Sequence, residues 1–204
     1  MVKSGLVDEP QVSPYRLAAH LGLALVILIY LLWVALGLIN VRSSGARREG
    51  SYGYLRIILP IYIFIVFFTI LTGAFVAGNE AGHLYNTFPL MDEHIVPPDI
   101  FVIDSVWRNF FENAVLVQLD HRLAAALTVL LGIAISVIGQ GRGIPLSARR
   151  VLLILGLLVL TQFLIGIFTL LYGAQIFLAS MHQISSIFLV SSCIYFLYVN
   201  TRTN

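Results

Sequence analysis

The sequence predicts an all-α, polytopic membrane protein with five transmembrane helices, on three observations. Hydrophobic residues are 59% of the chain, charged residues 11%, and the mean hydropathy is +0.93; a water-soluble domain carries roughly 25% charged residues. Five apolar runs, at about 17–39, 57–77, 116–138, 150–172 and 176–199, each reach the roughly 20 residues that cross a bilayer. The loop charges also alternate in sign from one side to the other.

The runs are continuous rather than alternating. Lipid cannot satisfy an exposed backbone N–H or C=O, so continuous runs are helices and not barrel strands. The first run, with the chain before it, forms a unit over 1–40. Residues 41–56 follow as a polar, glycine-punctuated loop with Arg42, Arg47, Arg48 and Arg56. The remaining four runs occupy 57–204. Arg142, Arg149, Arg150 and Arg202 lie on the same side as the first loop, which the positive-inside rule makes the inside. Nine of the ten acids then fall outside, Glu49 being the exception, for a topology of N-terminus out and C-terminus in. Cys193 stands alone in the last run, which excludes an intramolecular disulfide. The chain opens without a basic leader and apolar core, so the first helix is expected to be its own insertion signal or the chain to begin partway through a longer protein. No nucleic-acid partner is expected.

The longest polar stretch is the outer loop 79–113, broken into turns by Pro89, Pro97 and Pro98. Ile100, Ile103, Trp107, Phe110, Phe111 and Ala114 recur at helical spacing, with Asp99, Asp104, Arg108 and Glu112 on the other face. The spacing predicts a short amphipathic helix lying flat at the interface, as a cover over helix ends or as a gate. Small residues lead to a histidine both in Leu-Ala-Ala-His20 and in Leu-Ala-Ser-Met-His182, a weak internal repeat.

An ionisable side chain inside a membrane helix is costly and is read as functional. His20, His121 and His182 each lie five or six residues past the expected outer end of a helix, roughly 8–9 Å deep at 1.5 Å per residue. Ala24, the pair Ala124 and Ala125, and the pair Ser185 and Ser186 follow them by three or four residues on the same face, where a flat porphyrin edge could approach. Bis-histidine haem ligation fits this spacing; so do hydrogen bonding between packed helices and a proton relay. Zinc or copper is less suited, Asp120 being the one carboxylate at the edge of the layer. Arg122 reads either as a planar donor to a haem propionate or as a snorkelling interfacial arginine. His83 and His94, with Glu80, Asp92 and Glu93, read as solvated loop residues or as a loop metal site.

The motifs Thr72-Gly-Ala-Phe-Val-Ala-Gly, Asn79-Glu-Ala-Gly-His-Leu-Tyr-Asn-Thr-Phe-Pro-Leu-Met, Trp107-Arg-Asn-Phe-Phe-Glu-Asn and Val117-Gln-Leu-Asp-His-Arg resemble the haem A synthase family, most closely its mitochondrial and alphaproteobacterial branch. The resemblance runs from Met1 to about Leu197. It implies an eight-helix protein of two pseudo-symmetric four-helix halves, each holding a haem between two histidines. The enzyme oxidises the C8 methyl of haem O to the formyl of haem A, the cofactor of terminal oxidases. Carried over residue by residue, His121 and His182 are the axial ligands of haem b in the second half, and His20 belongs to the substrate-haem site of the first half. The chain starts at what resembles the fourth helix, so three helices, the partner of His20 and an acidic residue of the first outer loop are expected upstream. This chain would then supply the haem b half, in a mitochondrial inner membrane or a bacterial cell membrane. Glu80 stands where the family usually has an aspartate before Ala-Gly, and is the catalytic candidate. The cysteine pair of some bacterial members is absent. Implied partners are haem O and haem A, an electron donor and membrane lipid, with homo-oligomerisation open. A b-type cytochrome acting only in electron transfer, or a proton-relaying transporter, is the alternative.

Overall fold

A computed structural model describes residues 13–39, 53–141 and 143–201. Five long apolar helices are present: α1 (Pro14–Leu38), α2 (Leu55–Gly78), α4 (Ala114–Ile138), α5 (Leu146–Leu171) and α6 (Ile176–Thr201), with the short α3 (Val106–Glu112) between α2 and α4. Each long helix has the length and hydropathy to span a bilayer, so the chain is a multi-pass membrane protein. The ends follow local chemistry. Pro14 opens α1, where its missing N–H costs nothing. The Asn113 side chain accepts from the Val115 N–H at 3.0 Å to cap α4. Gly173 takes φ +63° in the tight turn from α5 to α6, a conformation a side chain disfavours.

Helix α2 packs on α4, α4 on α5, α5 on α6, and α6 back on α2, while α1 lies against α2 and α6. Small residues allow the close approach. A Cβ at Gly132 would sit 2.9 Å from Val159, and one at Gly156 would sit 2.5 Å from the Ser136 hydroxyl. The tightest apolar core, including Leu59, Tyr62, Leu152, Leu155, Val159 and Cys193, fills the half of the ring away from the 79–113 loop. At that same end Arg56 donates to the Asn200 carbonyl at 2.9 and 3.1 Å, and Arg149 to the Ile144 carbonyl at 2.8 Å. Arg42, Arg47, Arg48, Arg142 and Arg202 lie outside the described residues.

The 79–113 loop is held by side-chain amides, which supply donors to backbone carbonyls that no ladder satisfies. Asn79 donates to Phe75 and Phe111, Asn86 to Gly82 and Leu170, and Asn113 to Asp99. The cover helix is shorter than its apolar spacing predicts. Ile100 and Ile103 precede it in turns, and its buried residue is Asn109, 0% exposed, while Trp107 is 62% exposed. Asn109 accepts from the Ile103 N–H at 3.0 Å and donates to the Ile103 carbonyl at 2.8 Å. Those bonds fold 103–105 back and stop the helix from starting at Asp99.

Candidate functional site

Helix α4 presents His121 and α6 presents His182 toward each other about two turns from the loop end of the bundle. Their ring centroids are 6.4 Å apart and their planes perpendicular, at 89°. At about 2.0–2.1 Å per nitrogen, two imidazoles on opposite sides of one metal ion would have ring centres about 6.4 Å apart, against about 5.2 Å for two at a tetrahedral zinc. Among the described residues no three His, Cys, Asp or Glu converge, so this site is a pair. Both histidines are half-buried as residues, and the apolar core cluster lies in the opposite half of the bundle.

Each imidazole is gripped by the neighbouring helix in a similar way. On α2, the Thr72 hydroxyl lies 3.0 Å from His121 Nδ1, and a Cβ on Gly73 would sit 3.1 Å from His121 Cε1. On α5, the Gln162 amide nitrogen lies 3.2 Å from His182 Nδ1 and 3.0 Å from the His182 carbonyl, and a Cβ on Gly166 would sit 2.8 Å from His182 Cε1. Glycine lets each ring lie against a helix backbone, and the polar partner fixes its rotation. With Nδ1 engaged on both, Nε2 is the nitrogen left to each ring.

His20 is exposed, off the face of α1 that buries Ala18, Gly22 and Leu25, and is not part of the pair. Ala124 borders an apolar cavity of about 950 Å³ between α2, α3 and α4, which Phe68, Trp107, Phe110 and Asp120 also line. Ser185 does more than leave space, since its hydroxyl donates to the Gln162 side-chain oxygen and lies 3.0 Å from the His182 carbonyl. Glu80 is exposed in a left-handed turn just after α2, with φ 53°. His83 and His94 are exposed in the loop.

Arg122 lies one residue past His121 and reaches into the loop. One terminal nitrogen donates to the Thr87 and Leu90 carbonyls at 2.9 and 3.2 Å, the other to the Tyr85 carbonyl at 2.7 Å and to Gln118 at 3.4 Å. Its Nε is buried without a hydrogen bond. Gln118, also buried, donates to the Ala81 carbonyl at 2.7 Å. The planar fork of Arg122 thus ties residues 85–90 to the helix that carries His121. Outside the membrane segments, Arg108 and the Tyr15 hydroxyl both hydrogen-bond Glu112 and hold its carboxyl below the usual carboxylate range.

The polar grips at Thr72 and Gln162 were not singled out as site residues by spacing from the histidines. Gln162 carried a usable signal, as the one amide in the 26 residues of α5. Gly73 stands in the first family motif and Gly166 in no motif, and neither showed its role, because that role depends on a partner from another helix.

A family model described as COX15-CtaA, cytochrome oxidase assembly protein, matches residues 1–194. The chain is 43% identical over 198 residues to a protein named Heme A synthase from Nitrosospira multiformis, covering 96% of this chain and 54% of that protein. It is 39% identical over 204 residues to the Heme A synthase of Wolbachia pipientis, covering 100% and 56%, and 40% identical over 204 residues to the Heme A synthase COX15 of Homo sapiens, covering 96% and 49%. The chain spans about half the length of the curated relatives it matches. No solved structure matches it. A membrane helix group that carries paired histidines, matched almost from end to end by this family, places the chain: it belongs to the COX15-CtaA family of cytochrome oxidase assembly proteins.

Proposed function

We propose that this chain is the haem b half of a haem A synthase, with His121 and His182 as the axial ligands of one b-type haem. The observation that carries the reading is the 6.4 Å separation of the two rings, the spacing at which two imidazoles could bind one iron from opposite sides. The donor set fits as well: two neutral imidazoles, each with Nδ1 held by a neighbour, suit a bis-histidine haem. When bound, the haem iron supplies one-electron redox chemistry. His121 and His182 would hold it, Gly73 and Gly166 leave the rings room to face each other, and the apolar core of the far half would keep water from the pair along the bundle axis. Arg122, next to His121 and with Nε–H still to donate, could pair with a haem propionate.

His20, on the outward side of α1, is assigned to the iron of the substrate haem O, and Glu80 remains the carboxylate candidate for catalysis. The whole protein oxidises the C8 methyl of haem O to the formyl of haem A for cytochrome c oxidase, drawing on an electron donor through the haem b half. We place it in an energy-transducing membrane, mitochondrial inner or bacterial, with the loop 79–113 outside and the arginine-bearing end inside.

The test is the haem O to haem A ratio, by chromatography of extracted haems, in cells whose haem A depends on this protein. His121→Ala and His20→Ala should each raise haem O at the expense of haem A. A normal ratio in both variants would overturn the roles given to His121 and His20; a haem spectrum in the purified protein with haem A undiminished when the protein is removed would support a carrier of electrons alone.

A further inference from the structure

Among the described residues, Asp120 is the only carboxylate in the five long helices. It precedes His121 on α4, makes no hydrogen bond or ion pair with the described residues, and lines the apolar cavity between α2, α3 and α4. An unpaired carboxylate among apolar side chains at membrane depth is costly and calls for a partner. No described side chain supplies one.

The cavity holds about 950 Å³, at the upper end of the roughly 300–1,000 Å³ of small-molecule sites. Phe68 and Phe75 of α2 and Trp107, Phe110 and Phe111 of α3 give it aromatic walls. Phe64, Phe68 and Leu123, which also line it, are 67%, 52% and 60% exposed, so it opens on the flank of the bundle, where lipid lies. Its wall includes Thr72, whose hydroxyl is 3.0 Å from His121 Nδ1. A molecule in the cavity is thus one side chain away from that imidazole.

These features select an occupant. Entry from lipid calls for an apolar molecule, and aromatic walls suit a flat ring through edge and offset contacts. The carboxylate suits a hydroxyl, which donates to it when it is ionised and accepts from it when it is protonated. A hydroquinone with an apolar tail has all three properties, and it is a donor of electrons, the partner that the proposed haem half leaves unnamed.

We infer that this cavity binds a lipid-soluble hydroquinone, with its ring among the aromatic side chains and one ring hydroxyl on the Asp120 carboxylate. The choice of a redox-active ring over another hydroxyl-bearing lipid rests on the haem reading of His121 and His182. The cavity and its lone carboxylate do not depend on that reading.

The test is a binding titration of the full 204-residue chain in lipid nanodiscs without added haem. The chain has two tryptophans, and Trp33 packs on Tyr198 away from the cavity, so in a Trp33→Phe background the remaining fluorescence comes from Trp107 in the cavity wall. A ring-brominated decylhydroquinone should quench it saturably. Its dimethyl ether, which has no hydroxyl to donate, should bind about 10–100-fold more weakly. Asp120→Leu should weaken the hydroquinone by a similar factor and leave the ether unchanged, which also shows that the cavity is still formed. Equal affinity for hydroquinone and ether, or an unchanged affinity in Asp120→Leu, would mean that the groove takes lipid tails, and the inference would be overturned. Absence of saturable quenching would overturn it too. If the hydroquinone binds and discriminates as expected while the unaltered chain takes up no haem, the site stands and the haem reading falls by itself.

Discussion

A glycine beside each histidine decides how much space the site has. A Cβ at Gly166 would meet His182 Cε1 at 2.8 Å, closer than non-bonded carbons approach, and the ring has Gln162 on its Nδ1 side, so it cannot move without losing that bond. Gly166→Ala should therefore destabilise the chain by about 1–3 kcal/mol, read as a lower midpoint in thermal unfolding. Gly73→Ala, at 3.1 Å from His121 Cε1, should be milder. Equal and negligible effects would mean the rings are not held where they are described. In the loop, Asn109 is the residue on which local order depends. Asn109→Ala would strip partners from both the N–H and the C=O of Ile103, at about 1–3 kcal/mol, whereas Trp107→Asp, at a 62% exposed position, should loosen the loop less. Limited proteolysis of 79–113 separates the two. At this scale the sequence was informative about His121 and His182, because an ionisable imidazole in an apolar run is costly in lipid and calls for a partner. It placed Thr72 and Gly73 at the head of a family motif but gave them no role, because that role lies in a ring from another helix.

Helix placement was legible because the bilayer imposes one length on every span. All five helices begin and end within about four residues of the apolar runs, and their order around the bundle then sets which histidines meet. The extent of α3 was not legible, since apolar periodicity over 99–114 is overridden by the hydrogen bonds of Asn109. The loop itself hangs on Arg122. Arg122→Lys keeps the charge but loses the fork that reaches three loop carbonyls, so residues 85–90 should exchange amide hydrogens faster; an unchanged exchange rate would show that one cation suffices there. The ion pair of Arg108 and Glu112 gives the same element a pH dependence. Because Glu112 titrates below the ordinary carboxylate value, its contribution is complete above that value and fades as the pH falls through the lower, folded one. Protease resistance of the loop should thus hold at neutral pH and decline in acid, and Glu112→Gln should remove that component of the decline.

For the whole molecule, the end that carries Arg56 and Arg149 and the end that carries His121 and His182 are opposite ends of the same bundle. A reporter fused after Asn204 should report the inner side, and a tag inserted near Pro97 should be reached from outside. Both on one side would overturn a topology with five crossings. Because the chain spans about half of its curated relatives, the pair His121 and His182, drawn from α4 and α6, is complete within it, whereas exposed His20 points away from that pair. The proposed ligand pair calls for one haem per chain. Pyridine haemochrome analysis of the purified chain, with its low-spin spectrum, tests this most directly. The account predicts one b-type haem per chain, lost or turned high-spin by His121→Ala and by His182→Ala, and retained in His20→Ala; two haems per chain, or loss of the signal in His20→Ala, would contradict it.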